Sequence, residues 1–198
     1  IAQTIESVLA QAGDFEIEYI VVSDGSNDRS ADIAEEYAQR ITSGMYTVAC
    51  KGITMQVVQQ ENTGMYEAIN RGFAQGTGDI YAWINADDIY QPGAFAAIAR
   101  TFVAFPDIAW LKGICSTIDE QGLMTKAGYC YLYRHDWLRL GVYGQESYFV
   151  QQDSVFWRAQ LWKKVAPMPR EMRSAADYWL WLQMAKHAPL WSLACARR

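Results

Sequence analysis

Apolar runs alternate along the first half of the chain with stretches of helical spacing. Continuous apolar runs, rich in β-branched and aromatic residues, predict buried strands at Tyr19–Val22, Met55–Val58 and Ile80–Ile84. Apolar residues three and four positions apart predict helices near residues 1–9, 30–41, 66–73 and 93–105. A further strand is predicted at 108–111 and two late helices at 159–165 and 176–186. Strands that alternate with helices of about a dozen residues favour an α/β fold, with a mostly parallel sheet covered by helices on both faces.

The pattern begins in a helix rather than in a strand. An open parallel sheet normally continues around a central first strand. We therefore expect a Rossmann-like sheet in which the first strand, upstream of Ile1, is missing from the sequence.

Charge is divided unevenly along the 198 residues, whose number fits one domain. Residues 1–112 carry 6 basic and 15 acidic side chains, whereas residues 113–198 carry 11 basic and 7 acidic ones. This asymmetry predicts two working halves of a single domain, divided near residue 112. The total of −5 lacks the basic surplus of a general nucleic-acid binder.

The sequence shows no positively charged leader and no stretch long enough to cross a bilayer. The longest stretch without Asp, Glu, Lys or Arg is Ile89–Ala99, 11 residues against the roughly 20 that a span requires. Four widely separated cysteines (Cys50, Cys115, Cys130 and Cys195) favour buried thiols in a reducing compartment over a zinc site or disulfides. We expect a cytoplasmic protein, with the inner face of the membrane as a second location.

Polar and acidic residues follow three of the predicted strands. They are Asp24-Gly25-Ser26, Glu61-Asn62-Thr63-Gly64 and Asp87-Asp88. Ligands of open parallel sheets bind beyond the carboxyl ends of the strands, so these residues are expected on one rim. Taken singly, the first segment is more typical of a turn and the last of a helix cap, and only their position on the same rim favours a functional site.

Asp87 and Asp88 offer the hard oxygen ligands that suit Mg²⁺ or Mn²⁺. A half with a net charge of −9 would repel a nucleotide diphosphate unless a divalent cation lay between them. Competing signatures are absent from the sequence: it has no GxGxxG, no GxxxxGK[ST] and no GxSxG. An acidic, metal-assisted phosphate site is therefore predicted.

The segments quoted above resemble, in order, those of the family 2 inverting glycosyltransferases of GT-A type fold, among them bacterial polysaccharide and cell-wall sugar transferases. Thr4–Gln11 resembles the family's first helix, and Tyr19–Asp28 its strand and nucleotide-binding turn. Asn62–Gly72 and Gly78–Asp88 are similar to the next βα segment and to the strand with the metal-binding acidic motif. Two later segments, 152–158 and 176–182, resemble the acceptor side.

The resemblance implies transfer of a sugar from a nucleotide diphosphate-sugar, commonly a UDP-sugar, to a carbohydrate or lipid-linked acceptor, with inversion. Asp177 would be the general base, and Asp88 with Asp87 would hold Mn²⁺ or Mg²⁺ on the diphosphate. Asp24 would bind the base of the nucleotide, and the wider nucleotide set would be Ser23, Gly25, Ser26, Asn62, Gly64, Asn70 and Asp87. The acceptor-side residues would be Gln152, Asp153 and Trp157. The first half would thus bind the nucleotide-sugar and the second half the acceptor.

Three alternatives stay open at this point. The chain could bind nucleotide-sugars without catalysis, or act as a sugar nucleotidyltransferase, although no Gly-rich basic phosphate loop is present. Asp177 could cap the helix that it opens. A basic stretch at 158–173 fits a solvated face, a phosphate-bearing acceptor or an anionic membrane surface. The Pro-x-Tyr-Asn-like and Gln-x-x-Arg-Trp segments of related enzymes are absent, and the latter absence disfavours processive synthesis.

Overall fold

Helices and strands alternate through most of the chain, as expected for an α/β fold. The computed structural model describes residues 1–144 and 149–194, so Cys195 lies outside the described residues. The helices are α1 (Ala2–Leu9), α2 (Ser30–Thr42), α3 (Met65–Gln75), α4 (Ala94–Ala104), α5 (His135–Arg139), α6 (Ala159–Val165) and α7 (Ala176–Ala185). The strands are β1 (Gly13–Asp24), β2 (Cys50–Gln60), β3 (Ile80–Tyr81), β4 (Trp110–Lys112), β5 (Thr117–Ile118), β6 (Met124–Lys126), β7 (Val155–Arg158) and β8 (Trp191–Ser192).

The first sheet pairs β1 with β2 in parallel and brings the ends of both strands to the same edge. The register places Asp24 opposite Gln60, the last residues of the two strands. Helices cover both faces, because successive side chains of β1 point in opposite directions. Val21 packs in the apolar cluster that α1 and α2 share, whereas Val22 on the other face lies against Gly72 of α3.

The second sheet has four strands in the order β3-β7-β4-β8, and it is mixed rather than parallel. β7 runs antiparallel to both of its neighbours, and β4 and β8 are parallel. The two predicted halves therefore share this sheet, and their division near residue 112 stays a prediction. The β5–β6 hairpin forms a separate two-stranded unit.

The sheet that the sequence predicts as continuous is interrupted between β1 and β3. Neither strand has a second neighbour among the described residues, and residues 79–85 line one side of a cleft of about 1740 Å³ whose other side is β1. Ile80–Ile84 was expected to be a strand, but only Ile80 and Tyr81 are assigned to one. Strand structure needs a hydrogen-bonded neighbour, and β7 reaches only the first two residues.

A tryptophan-rich core joins the second sheet to α7. Trp110, Trp157 and Trp181 are completely buried, and Trp83 stacks on Trp181 with ring centroids 5.8 Å apart. Within the ranges 1–144 and 149–194, no helix combines the length and apolar character that crossing a membrane requires. Cys50, Cys115 and Cys130 are free thiols.

Candidate functional site

The carboxylate of Asp24 is fixed by the turn that follows β2. Its Oδ1 accepts hydrogen bonds from the Thr63 amide at 2.9 Å and the Gln60 side chain at 2.8 Å, with the Thr63 hydroxyl at 3.3 Å. Its Oδ2 accepts one bond, from the amide of Gly64 at 2.7 Å. Partial burial pushes the pKa of Asp24 up, but these hydrogen bonds to the ionised form outweigh it and leave the pKa below its usual value. The turn is therefore built around an ionised Asp24.

Glycine is required on both sides of this junction. Gly25 has φ +70°, and a Cβ there would stand 3.1 Å from the Cβ of Asn62. Gly64 has φ +102°, a backbone conformation that a side chain would strain. The turns after β1 and β2 therefore lie against each other, as the sequence predicts, with Ser26 and Asn62 exposed beside them and Ser23 half-buried.

The acidic pair lies in a turn beyond β3, and its two residues differ in exposure. Asp87 is exposed, whereas Asp88 is half-buried and accepts a hydrogen bond from the Asn85 side chain at 3.1 Å. Asn85 also lines the cleft to which Asp24 and Ser26 contribute, so both strand ends open onto the same cleft. The Thr4 hydroxyl donates to the Ala86 carbonyl at 2.8 Å and fixes the turn against α1.

Asp153 meets the acidic pair from the opposite side, on the short 3-10 turn Gln152–Ser154 that leads into β7. Burial is the main cause that raises its pKa, to about 7, followed by the negative charge of Asp88 and a hydrogen bond between the two side chains. Asp87 and Asp177 raise it further. The Gln152 side chain donates to Asp153 as well. Three other carboxyl groups are thus close enough to influence Asp153.

Asp177 lies in the first turn of α7, and its surroundings hold it in place. Burial raises the pKa of its carboxyl above the usual value, against the lowering effect of the Tyr178 amide. The helix cap is Ala175, so the capping alternative does not describe Asp177. Trp181 follows four residues later on the same face, and its stacking on Trp83 ties this end of α7 to the segment that carries Asp88.

These carboxylates suit a cation that the protein and substrate phosphates coordinate together better than a cation that the protein coordinates alone. Among the residues that the structure describes, no three His, Cys, Asp or Glu side chains form a ready metal site. A cation that is bound together with substrate phosphates takes only one or two protein carboxylates. Asp88, with Asp87 or Asp153 beside it, fits that arrangement.

Two residues that were predicted to contact a ligand are buried and interact with other parts of the protein. Trp157 was expected on the acceptor side, but it is 0% exposed and packs between Phe73 and Trp181, because both faces of β7 are buried. Asn70 was expected to bind nucleotide, but it is 8% exposed and its amide bonds to the backbone of Met168. Neither residue has the exposure that ligand contact requires.

Three residues that touch the site were not among the candidates. Gln60 and Thr63 bind Asp24, and Asn85 binds Asp88. Gln60 and Asn85 could have been found from their position, since each is a polar residue at the carboxyl end of a predicted strand. Thr63 lies in the polar segment 61–64 that follows the second predicted strand. No sequence pattern shows that its backbone amide donates to Asp24.

Comparison with known proteins shows which family the sequence of this chain matches. The profile of glycosyl transferase family 2 matches residues 1–158. The uncharacterized glycosyltransferase alr2836 of Nostoc sp. is 31% identical over 102 residues, which are 52% of this chain and 28% of that protein. The uncharacterized glycosyltransferase EpsJ of Bacillus subtilis is 33% identical over 100 residues, 50% of this chain and 26% of that protein. The chain thus matches about a quarter of the length of these relatives.

A solved structure shares the fold over nearly the whole chain. S. aureus TarS 1–349, crystallised in complex with UDP, aligns with 98% of this chain and 53% of its own length. The TM-score is 0.70 at 18% sequence identity. This likeness supports the GT-A type fold that the sequence analysis predicted.

Proposed function

The chain belongs to glycosyl transferase family 2, and we propose that it transfers a sugar from a nucleotide diphosphate-sugar to an acceptor hydroxyl, with inversion and with the help of a divalent cation. One observation carries the proposal: the four carboxyl groups around Asp153 lie beyond β3, and Asn85 in the same turn lines one cleft with Asp24. The donor would bind across this rim, and the acceptor would approach from the side of α7.

Asp24 suits recognition of a nucleotide base. Its Oδ1 is occupied by Gln60 and Thr63, whereas Oδ2 accepts, from the residues that the structure describes, only the Gly64 amide and keeps a lone pair for another donor. A uracil N–H is such a donor, and the UDP bound to TarS makes uridine the first base to test. The exposed Asn62 and Ser26 line the same turn junction and would meet the ribose or the base.

Asp88 would hold the cation, with Asp87 at its open side and Asp153 behind it. A divalent cation bound there supplies Lewis-acid neutralisation of the charge that grows on the leaving diphosphate. Asn85 keeps the Asp88 carboxylate in one orientation by its 3.1 Å hydrogen bond. Because the carboxylate is already held in one orientation, it loses little conformational entropy when it binds the cation. A low entropy cost favours binding at a weak site that also depends on substrate phosphates.

Asp177 would accept the proton of the acceptor hydroxyl. A neutral hydroxyl is a poor nucleophile, and a carboxylate that removes its proton as the bond forms typically contributes 10²–10⁴-fold. Burial raises the pKa of Asp177, which makes its carboxylate a stronger base than that of an exposed aspartate. Inversion follows if the hydroxyl attacks from the face opposite the diphosphate.

The experiment that tests this proposal is a thermal shift panel with UDP, GDP, CDP and dTDP, each with and without Mn²⁺, followed by release of nucleotide from the matching donor sugars. A ligand at about 100 times its Kd stabilises by about 2.7 kcal/mol, a shift of several degrees for a chain of this size. We expect one nucleotide to stabilise the protein, and more strongly with Mn²⁺. No shift with any nucleotide would contradict the proposal, and binding without turnover of any donor would favour a non-catalytic nucleotide-sugar-binding module.

A further inference from the structure

Exposed apolar side chains are concentrated in one segment of the second half. In the described ranges, eight of the large exposed apolar residues lie between residues 123 and 142, against seven elsewhere. Leu132 and Leu140 are the most exposed of these eight, at 82% and 79%. Exposed apolar side chains that are concentrated in this way on a folded domain mark an interaction site.

Aromatic rings connect this segment into one surface. Tyr129 contacts Tyr131 with ring centroids 6.3 Å apart, and Tyr131 contacts Tyr133 at 6.5 Å. Tyr133 packs on Tyr143 at 4.9 Å, and Tyr143 lies 6.1 Å from Trp137. These five rings are therefore neighbours in space and not only in sequence.

Basic side chains are interleaved with these rings. Lys126, Arg134 and Arg139 are exposed within the segment 123–142, which contains one acidic residue, Asp136. The Arg134 guanidinium lies 4.8 Å from the centre of the Trp137 ring. Tyr and Trp with flanking Arg and Lys are the composition that settles at the boundary between lipid headgroups and acyl chains.

The charge of the whole chain complements such a boundary. Residues 113–198 carry a net +4, and residues 1–112 carry −9. An anionic surface would attract the second half and repel the first, and this pair of forces would turn the 123–142 face towards it.

We propose that this aromatic–basic surface, comprising residues 123–142, docks on an anionic lipid bilayer. Leu132 and Leu140 enter the acyl boundary, while Arg134 and Arg139 contact lipid phosphates. A carbohydrate chain could stack on the aromatic rings, but it would not bury the aliphatic side chains of Leu132 and Leu140. These two side chains are the most exposed apolar ones of the segment 123–142. The docking does not depend on the proposed enzymatic function.

The docked surface adjoins the helix that carries Asp177. The Tyr178 hydroxyl donates to the Gly141 carbonyl, and α5 packs on α7. Docking would therefore hold the start of α7 near the membrane surface. An acceptor that is anchored in lipid would reach Asp177 from this side, a consequence that rests on the proposed function.

Flotation with lipid vesicles tests the docking directly. We expect the full chain to float with vesicles of phosphatidylcholine and phosphatidylglycerol, less with phosphatidylcholine alone, and less in high salt. Arg134→Gln with Arg139→Gln should weaken binding to the anionic vesicles about thirtyfold, since each basic residue near such a surface contributes about 1 kcal/mol. Leu132→Ser with Leu140→Ser should weaken it at least about tenfold, from the lost apolar burial.

The matched control is Val103→Ser with Phe105→Ser, two exposed apolar residues at the end of α4, of which Val103 is also 82% exposed. All variants must keep the circular dichroism spectrum and melting temperature of the parent. Equal loss of binding in the control pair, no preference for anionic vesicles, or no flotation would overturn the proposal. Self-association that Leu132→Ser with Leu140→Ser abolishes, without vesicle binding, would overturn it too and identify a protein interface.

Discussion

The side-chain amide of Asn70 is bonded in both directions to the backbone of Met168. Its Nδ2 donates to the Met168 carbonyl and its Oδ1 accepts the Met168 amide, both at 2.9 Å and both buried. The two residues are 98 positions apart. The pair therefore fastens α3, which follows the nucleotide-side turn, to the connection between α6 and α7, which leads to Asp177.

Replacement of Asn70 should primarily cost stability. Asn70→Ala removes both hydrogen bonds and leaves a buried amide and carbonyl without partners, so we expect a loss of about 2–4 kcal/mol in the free energy of unfolding. Urea denaturation measures it, and the exposed Asn27→Ala serves as the control, with a change within about 0.5 kcal/mol. Unchanged stability together with lost nucleotide binding would instead restore Asn70 to the nucleotide site.

Sequence reasoning could predict which strand ends lie near one another because parallel strands obey a simple geometric rule. Asp24, Asn62 and Asp88 each follow a predicted strand. In the structure Gly25, which follows Asp24, packs against Asn62, and Asn85 of the Asp88 turn lines one cleft with Asp24. The parallel register of β1 and β2 made this outcome predictable. The first helices and strands were predicted for the same reason, since their apolar spacing is regular.

The second half was less predictable because its strands are buried on both faces. Val155, Phe156 and Trp157 are all buried, so no alternation in β7 shows which side chain faces ligand and which faces core. Only the family resemblance of the segment 152–158 placed Trp157 on the acceptor side. The proximity of Asp153 to Asp88 depends on β7 running antiparallel beside β3, a pairing that links residues 76 and 78 positions apart and that no local pattern encodes.

Asp24 should make the protein lose stability in acid. Its folded-state pKa is lower than its usual value of 3.8, so the folded state binds the proton less well than the unfolded chain. The stabilisation is complete above the unfolded pKa and is lost as the pH falls below about 4 through the lowered folded pKa. We expect Asp24→Asn to be less stable than the parent at pH 7 and to lose less stability between pH 5 and 3.

Denaturation in urea across that pH range checks the Asp24 prediction. Asp107→Asn, a change of the same chemistry at an exposed loop position, should follow the parent curve. Parallel curves for the parent and Asp24→Asn would mean that the hydrogen bonds from Thr63 and Gly64 do not hold the ionised form.

Asp88→Ala should remove the effect of Mn²⁺ without unfolding the protein. In the parent, Mn²⁺ should increase the melting temperature further when the matching nucleotide is present, because the carboxylate and the diphosphate share the cation. In Asp88→Ala that increment should disappear. Without Mn²⁺ the variant should be at least as stable as the parent, because the substitution removes the negative charge of Asp88 that repels the carboxylate of Asp153.

Differential scanning fluorimetry with a Mn²⁺ titration measures this increment, with Asp107→Ala as the matched variant. A full Mn²⁺ response in Asp88→Ala would remove Asp88 from the cation site. A variant that is markedly less stable in the absence of any cation would show that Asp88 has a structural role instead.

Asp177→Asn should separate turnover from donor binding. The change keeps the shape of the side chain and removes its ability to accept a proton, so release of nucleotide from the donor should fall about 10²–10⁴-fold. Nucleotide affinity, measured by thermal shift, should change less than about threefold, because Asp177 lies on α7 and not on the turns that hold Asp24. The melting temperature should change little, since Ala175 and not Asp177 is the cap of the helix. A parallel loss of affinity and turnover would place Asp177 in the donor site, and normal turnover would require the proton to be taken by another of the four carboxyl groups, with Asp153→Asn as the next variant to assay.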